Sequence, residues 1–401
     1  MNAPLAGLRI VEVSAFIAAP LGAMTLAQLG AEVIRIDPVG GNIDFHRWPL
    51  APNGDSLYWA SLNRAKKSVS LALDTAEGQE LAAAIMCAAG DDAGIVLTNL
   101  PSKGWMSYEA LSKRRSDLIM MRLTGNFDGS AAVDYTVNCA SGFPIATGSN
   151  EEPVNHVLPA WDVAAGLYLA AGLLSAERVR RRSGHGQEVT LSLSDVMLAT
   201  VGNLGYISDV QVNDVSREPI GNHLYGAFGR NFATADGREV MIAAISNRQW
   251  KALGTATGLS ARLEMIGPLM EVDLKTEGGR YHARHAIAAV LEPWFAARSV
   301  DLIKGCFDGS GVLWGIYQDF RQLVRDDRRC SLANPMFSEI EQAGIGRLLA
   351  PGTPLAFSRT PAARAQAAPQ MGRDGGAVLG DLLGMTPDDV EGLRARGVLS
   401  D

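Results

Sequence analysis

The sequence predicts an α/β fold in two domains, and three observations lead to it. An apolar strand, a small-residue helix and a second strand follow one another in the first 37 residues, and the same order recurs between residues 67 and 99. From about Gly221 the pattern changes to a glycine-rich loop, a hairpin and amphipathic helices. Alternating strands and helices of this kind mark βαβ units and a parallel sheet. With 401 residues and 47% hydrophobic content, the chain can bury a large core.

GLRIVEV reads as the first strand, FIAAPLGAMTLAQLG as a helix that Gly30 ends, and AEVIRID as a strand closing at Asp37. Asp37 stands where a ribose-binding acid would sit in a dinucleotide fold, but the turn SAFIAAP lacks GxGxxG, which argues against such a ligand. KKSVSLAL, TAEGQELAAAIMCAA and AGIVLTNL form the next strand, helix and strand, ending at Asn99. Ligands of open α/β sheets gather beyond the carboxyl ends of the strands, so SAFIAAP, LALD and TNLPSK should face one crevice. A long apolar helix follows from Asp162 to the basic run Arg178, Arg180, Arg181 and Arg182, which reads as a solvated helix end. Gly184 and Gly186 turn the chain into EVTLSLS, an alternating strand. Beyond Gly221, a hairpin around Ala235, Asp236 and Gly237 and helices near Trp250 and from Tyr281 to Phe295 suggest a smaller domain ending near residue 325. Residues 350–372, rich in Pro, Ala and Gly, read as an extended connection before two final helices.

The net charge is −7 and the basic residues are dispersed, which gives no footprint for nucleic acid or a membrane surface. No apolar run reaches spanning length and the chain opens directly into a strand, so a cytoplasmic location is expected. Cys87, Cys139, Cys306 and Cys330 lie far apart without metal-ligand spacing and read as buried thiols of a reducing compartment. His282 and His285 share a helix face but lack a third ligand nearby, so no metal is expected. Neither a GxSxG elbow nor a P-loop is present.

Asp162 is the strongest candidate for chemistry. A carboxylate at a helix start meets free N–H groups and the positive end of the dipole, which predicts an ionised side chain ready to act as a nucleophile. Local sequence leaves two readings, an N-cap that merely starts the helix or a reactive group.

The segments LAGLRIVEVSAFIAAPLGAMTLAQLGAEVIRID, NRAKKSVSLAL, LTNLP, WDVAAGLYLAAGLL, SGHGQEVTLSLSD, TADGREVMIA and TPLAFSRTPAARAQAAPQMG with DLLG span nearly the whole chain. In this order they resemble the family III CoA-transferases. The resemblance implies a Rossmann-like large domain built from the N- and C-terminal parts, residues 1–200 and 330–401, a smaller α+β domain at 221–325, and an interlocked homodimer. It implies that Asp162 is the nucleophile, and that CoA enters as part of an acyl-CoA substrate, with no tightly bound cofactor. CoA contacts would fall on Ile17, Ala18, Leu71, Ala72, Asn99, Leu100 and Lys103. Arg64, Lys66 and Lys67 are charged candidates for its phosphates or for structural salt bridges. Oxyanion donors would be backbone N–H groups of the glycine-rich loop or of the Ala18 turn.

Departures from the family pattern narrow the activity. Family racemases place a histidine just before the aspartate that matches Asp134; Val133 stands there, so the paired proton-transfer base is missing. Oxalate-specific members carry glutamine where this chain has Ile17, and a run of glycines where it has GNHLYGAFGRN. LTGNFDGSAAVDYTVNCASG and GNHLYGAFGRNF are instead similar to the branch that moves CoA between the C1 and C4 carboxyls of mesaconate. Asn222, His223, Tyr225 and Arg230 are then candidates to hold the distal carboxylate, Arg230 by a bidentate contact, with packing roles open for His223 and Tyr225. Transfer to a separate acid acceptor is the alternative.

Overall fold

The computed structural model describes residues 3–148, 152–360 and 364–400. The chain divides into two compact units, one comprising Met1–Ser141, Val157–Asn213 and Arg328–Asp401, the other Gly142–His156 and Asp214–Asp327.

The larger unit opens with β1 (Arg9–Val13), β2 (Glu32–Pro38), β3 (Lys67–Leu71), β4 (Ile95–Thr98), β5 (Ile119–Thr124) and β6 (Glu188–Ser192). The smaller unit holds β7 (Phe228–Ala233), β8 (Glu239–Ala244) and β9 (Leu313–Ile316), and the larger unit resumes with β10 (Phe337–Gln342), β11 (Gly346–Pro351) and β12 (Leu399–Ser400). Seven strands form one sheet in the order β12-β3-β2-β1-β4-β5-β6, parallel except for β12, which runs antiparallel to β3. The order reverses between β1 and β4, the place where open α/β sheets bind ligands. Central strands covered on both faces need continuous apolar sequence, and Val33, Ile34, Ile36, Ile95, Val96 and Leu97 are all buried.

Two helices set the reactive end. The first, Ala18–Gln28, packs against the 24-residue helix Ala160–Ser183. Glycines make that approach possible: a Cβ on Gly166 would lie 2.8 Å from the Ala18 carbonyl oxygen, and one on Gly22 would lie 2.8 Å from that of Gly166. The small-residue spacing of the sequence thus brings two backbones close together rather than merely favouring a helix.

Several readings of the sequence are corrected. The basic run is not simply a solvated end: Arg180 is buried, donates to the Ala93 carbonyl at 2.6 Å, and is joined by Arg181 pairing with Glu177 and Asp92. The LALD segment stands at the end of β3. Its strand lies two positions from the reversal, and the C-terminal chain covers it, Leu71 pairing with Leu399 and the Ala72 N–H donating to Val398. Cys139 and Cys306 are exposed, and Cys87 and Cys330 only half-buried, so they are not the interior thiols expected. Strand β5, the β10-β11 hairpin and the edge strand β12 add to the elements read from sequence. Of the connection at 350–372, residues 361–363 lie outside the described residues.

In the smaller unit β7, β8 and β9 form an antiparallel sheet, with the β7-β8 turn at Gly237 in the left-handed region (φ 71°). Phe228, Phe232, Val240, Ile242, Leu253, Ile287, Leu291 and Phe295 make its core. Among the described residues no helix is long and apolar enough to cross a membrane.

Candidate active site

A cleft of about 910 Å³ opens in the larger unit beyond β1, β4 and β5, its walls including Phe16, Ile17, Arg47, Tyr58, Asn99, Asp134 and Asp162. The loop after β1 is held in a strained turn, Phe16 having φ 67°, a conformation rare outside glycine. Asn99 fastens the loop after β4 to it: the Ala15 N–H donates to Asn99 Oδ1 (3.0 Å) and Asn99 Nδ2 donates to the Ala15 carbonyl (2.7 Å). The two loops of the reversal point are thereby tied to each other.

Asp162 is the third residue of its helix, in a first turn whose N-cap, Pro159, offers no side-chain bond. The N-cap reading is therefore wrong. The cap comes from 28 residues upstream: the N–H groups of Trp161 and Asp162 donate to Asp134 Oδ2 at 2.7 and 3.0 Å. Asp134 is buried, and its other oxygen, Oδ1, has no hydrogen-bond partner among the described residues. The helix-start donors expected to favour an ionised Asp162 are therefore taken by its neighbour. Burial, and then the Asp134 charge, push the Asp162 carboxyl up to about 7, against a smaller opposing pull from Arg47. The helix start stabilises the neighbour's charge, leaving Asp162 basic for a carboxylate.

Arg47 and Tyr58 complete this wall. The guanidinium of Arg47 lies over the Phe16 and Tyr58 rings, 5.7 and 5.3 Å from their centroids. The Tyr58 hydroxyl is buried without a hydrogen-bond partner among the described residues, and burial raises its pKa, so it stays a neutral donor. Val133 lines the same cleft, so the position where a racemase would carry its second base presents an alkyl group.

Beneath the loop lies a second acidic cluster with its own cations. Arg35 bonds Asp37 (2.8 Å), Asp44 (3.0 Å), Asn63 (2.9 Å) and the Ser14 carbonyl (3.1 Å). Lys66 pairs with Glu12 at 2.7 Å and donates to the Pro20 carbonyl at 3.0 Å. Burial pulls Lys66 down to about 8 despite Glu12. Asp37 is thus an ion-pair partner, and Lys66 and Lys67, the latter bonded to Glu32, serve as structural salt bridges. This cluster fixes the segment that carries Arg47 into the cleft.

Of the residues singled out in the sequence, Ile17, Asn99, Leu100, Lys103 and Asp162 line one cleft. Ala18 and Leu71 are buried, and the Ala72 N–H donates to Val398 beside the C-terminal edge strand. In the smaller unit Asn222, His223 and Arg230 line a pocket of about 290 Å³. Tyr225 is not in that wall but stacks under Arg217 at 3.6 Å. Arg230 pairs with Glu292 at 3.1 Å, and burial together with Arg230 and His285 pulls His223 down to about 4, leaving it neutral. His285 packs on His223 rather than joining His282. Sequence reasoning missed Arg47 and Tyr58, and saw Asp134 only as an alignment mark.

The CoA-transferase family III model matches residues 5–375. The chain belongs to this family. It is 48% identical to 2-methylfumaryl-CoA isomerase of Chloroflexus aurantiacus, over 100% of this chain and 98% of the relative. It is 27% identical to succinyl-CoA–D-citramalate CoA-transferase of the same organism, over 99% of this chain and 98% of the relative. A solved CAIB/BAIF family protein from Brucella suis shares the fold with a TM-score of 0.78 at 25% identity, covering 95% of this chain and 100% of that one. As a family III CoA-transferase the protein is an enzyme, and CoA is part of its substrate.

Proposed function

We propose that the enzyme moves CoA within one molecule, converting 2-methylfumaryl-CoA to 3-methylfumaryl-CoA through an aspartyl-CoA thioester on Asp162. The observation that carries this reading is the full-length 48% identity to an isomerase of that name. Asp162 as a basic carboxylate in the cleft wall supports the chemistry.

Asp162 attacks the thioester carbonyl at C1 and expels CoA thiolate, leaving a mixed anhydride. The thiolate then attacks the aspartyl carbonyl, forming the enzyme thioester and freeing the C1 carboxylate. The C4 carboxylate repeats the sequence in reverse, and thiolate attack on C4 restores Asp162. The thioester bond energy is conserved. A covalent carrier is needed because the two carboxyls lie trans across a double bond and cannot form a cyclic anhydride. Each tetrahedral step develops an oxyanion, for which the unpartnered Tyr58 hydroxyl is a suitable donor beside the backbone N–H groups. Lys103, exposed on the cleft rim, suits a CoA phosphate. Asn222, His223, Tyr225 and Arg230 remain the proposed distal-carboxylate set, Arg230 exchanging Glu292 for substrate. An interlocked homodimer in the cytoplasm belongs to the same reading.

Isotope exchange tests it. With mesaconyl-C1-CoA as substrate and labelled free mesaconate in solution, the product stays unlabelled. Label in the product at the rate of turnover would replace this reading with transfer to a separate acid.

A further inference from the structure

We propose that Asp134 is a positioning residue for the Asp162 reaction, a fixed buried charge that favours the uncharged, CoA-bearing form of Asp162 over its free carboxylate. This rests on the reading of Asp162 as the CoA carrier and extends it to a residue that touches neither substrate nor CoA in that scheme.

The geometry supplies the argument. An aspartate in the first turn of a helix ordinarily gains from the free N–H groups and the dipole. Here two of those donors, from Trp161 and Asp162 itself, are taken by Asp134 Oδ2. The helix start therefore compensates the charge of Asp134, which sits with 2% exposure and an unbonded Oδ1. Asp162 is left beside a like charge with only Arg47 in opposition. Lys103 and Arg122 line the cleft together with Arg47. Tyr58 and Tyr135 also border the cleft, Tyr58 neutral. Arg122 on β5 is paired with Glu188 on β6, and Asp195 starts the helix Leu193–Asn203 that packs on the Asp162 helix.

The consequence follows from charge. A carboxylate held against another carboxylate is more basic and therefore a stronger nucleophile. When it becomes an anhydride or a thioester its charge disappears and the repulsion is relieved. Asp134 thus raises the reactant carboxylate in energy without raising the covalent intermediate, which promotes accumulation of aspartyl-CoA.

The test compares wild type with Asp134→Asn and Asp134→Ser, both of which keep a capping oxygen and remove the charge. With mesaconyl-C1-CoA, the acid limb of the kcat/KM profile is expected to fall by at least one pH unit from its wild-type position near 7. The fraction of quenched protein carrying CoA on Asp162 is expected to drop about tenfold. A residue that only held the helix would lower kcat/KM at every pH and leave the limb in place, and that result in folded variants overturns the proposal. If neither variant folds, a 13C titration of the wild-type aspartate carboxyls, with Asp162 assigned by its loss in Asp162→Asn, decides: a raised Asp162 midpoint whose signal also shifts as Asp134 titrates supports the proposal, and a midpoint near 4, or one that does not respond to Asp134, overturns it. Absence of any CoA adduct in wild type would instead defeat the reading of Asp162 itself, whereas an adduct that is equally abundant without the Asp134 charge defeats this inference alone.

Discussion

Two groups of buried acids lie in the larger unit, and they are treated in opposite ways. Glu12, Asp37 and Asp44 face Arg35 and Lys66 in a closed set of ion pairs and hydrogen bonds. Asp134 and Asp162 share one helix start, whose Trp161 and Asp162 N–H groups donate to Asp134 Oδ2 and leave the Asp162 carboxyl to the cleft. The first cluster is matched with cations and holds loops in place; the second is left short of positive charge where the proposed nucleophile stands. The difference teaches that burial of a carboxylate is not itself a mark of function. What separates the two is whether the protein has spent its donors on the charge.

The largest effect that could break this contrast is on turnover. Asp162→Asn is expected to lower kcat at least about ten-thousand-fold, as loss of a covalent nucleophile does elsewhere, while raising the melting temperature because an uncompensated acid has been removed. An active Asp162→Asn enzyme, or one that melts earlier, would contradict the assignment of this acid to the uncompensated class. Arg35→Met attacks the other cluster, leaving three acids to Lys66 alone. A loss of about 3–5 kcal/mol in denaturant unfolding is expected, since removing one partner strands buried charge. A loss below 1 kcal/mol would show that the cluster is not the closed set described.

The pH dependence of stability sharpens the comparison further. Because the folded state holds Asp162 at about 7 and the unfolded chain near the ordinary aspartate value, the folded protein binds more protons between the two. Its contribution is therefore favourable at low pH and is lost as pH rises through about 7. Wild type should match Asp162→Asn in stability near pH 4 and fall below it by up to about 4 kcal/mol at pH 8, measured by urea unfolding. A difference independent of pH would remove the charge argument. The smallest effect is steric. Gly166→Ala places a methyl 2.8 Å from the Ala18 carbonyl oxygen. It is expected to cost about 1–3 kcal/mol in thermal unfolding and to lower kcat by displacing the Asp162 helix. A neutral outcome in both would mean the close helix contact does not position the site.

The sequence revealed much of this architecture through local pattern. The βαβ order at residues 8–37 and 67–99, the hairpin at Gly237 and the helix beginning near Asp162 each follow from periodicity or turn chemistry over a few residues. Strand β5, IMMRLT, opens with three consecutive buried residues and so lacks there the alternation that marks a half-exposed strand. The electrostatics of the site were hidden for a different reason. That an oxygen of Asp134 lands on the N–H groups of Trp161 and Asp162 depends on how two helices pack, and that Arg47 faces Asp162 depends on the Arg35 cluster beneath it. The local rule that a helix start offers donors to an aspartate was sound, but the donors went to Asp134.

The central claim is that Asp162 carries CoA during turnover. It is tested most directly by acid-quenching the enzyme with mesaconyl-C1-CoA and mapping the digested protein by mass spectrometry. The account predicts a CoA adduct on the Asp162 peptide, and loss of activity when hydroxylamine is added during turnover. An unmodified peptide together with full activity in hydroxylamine would contradict it.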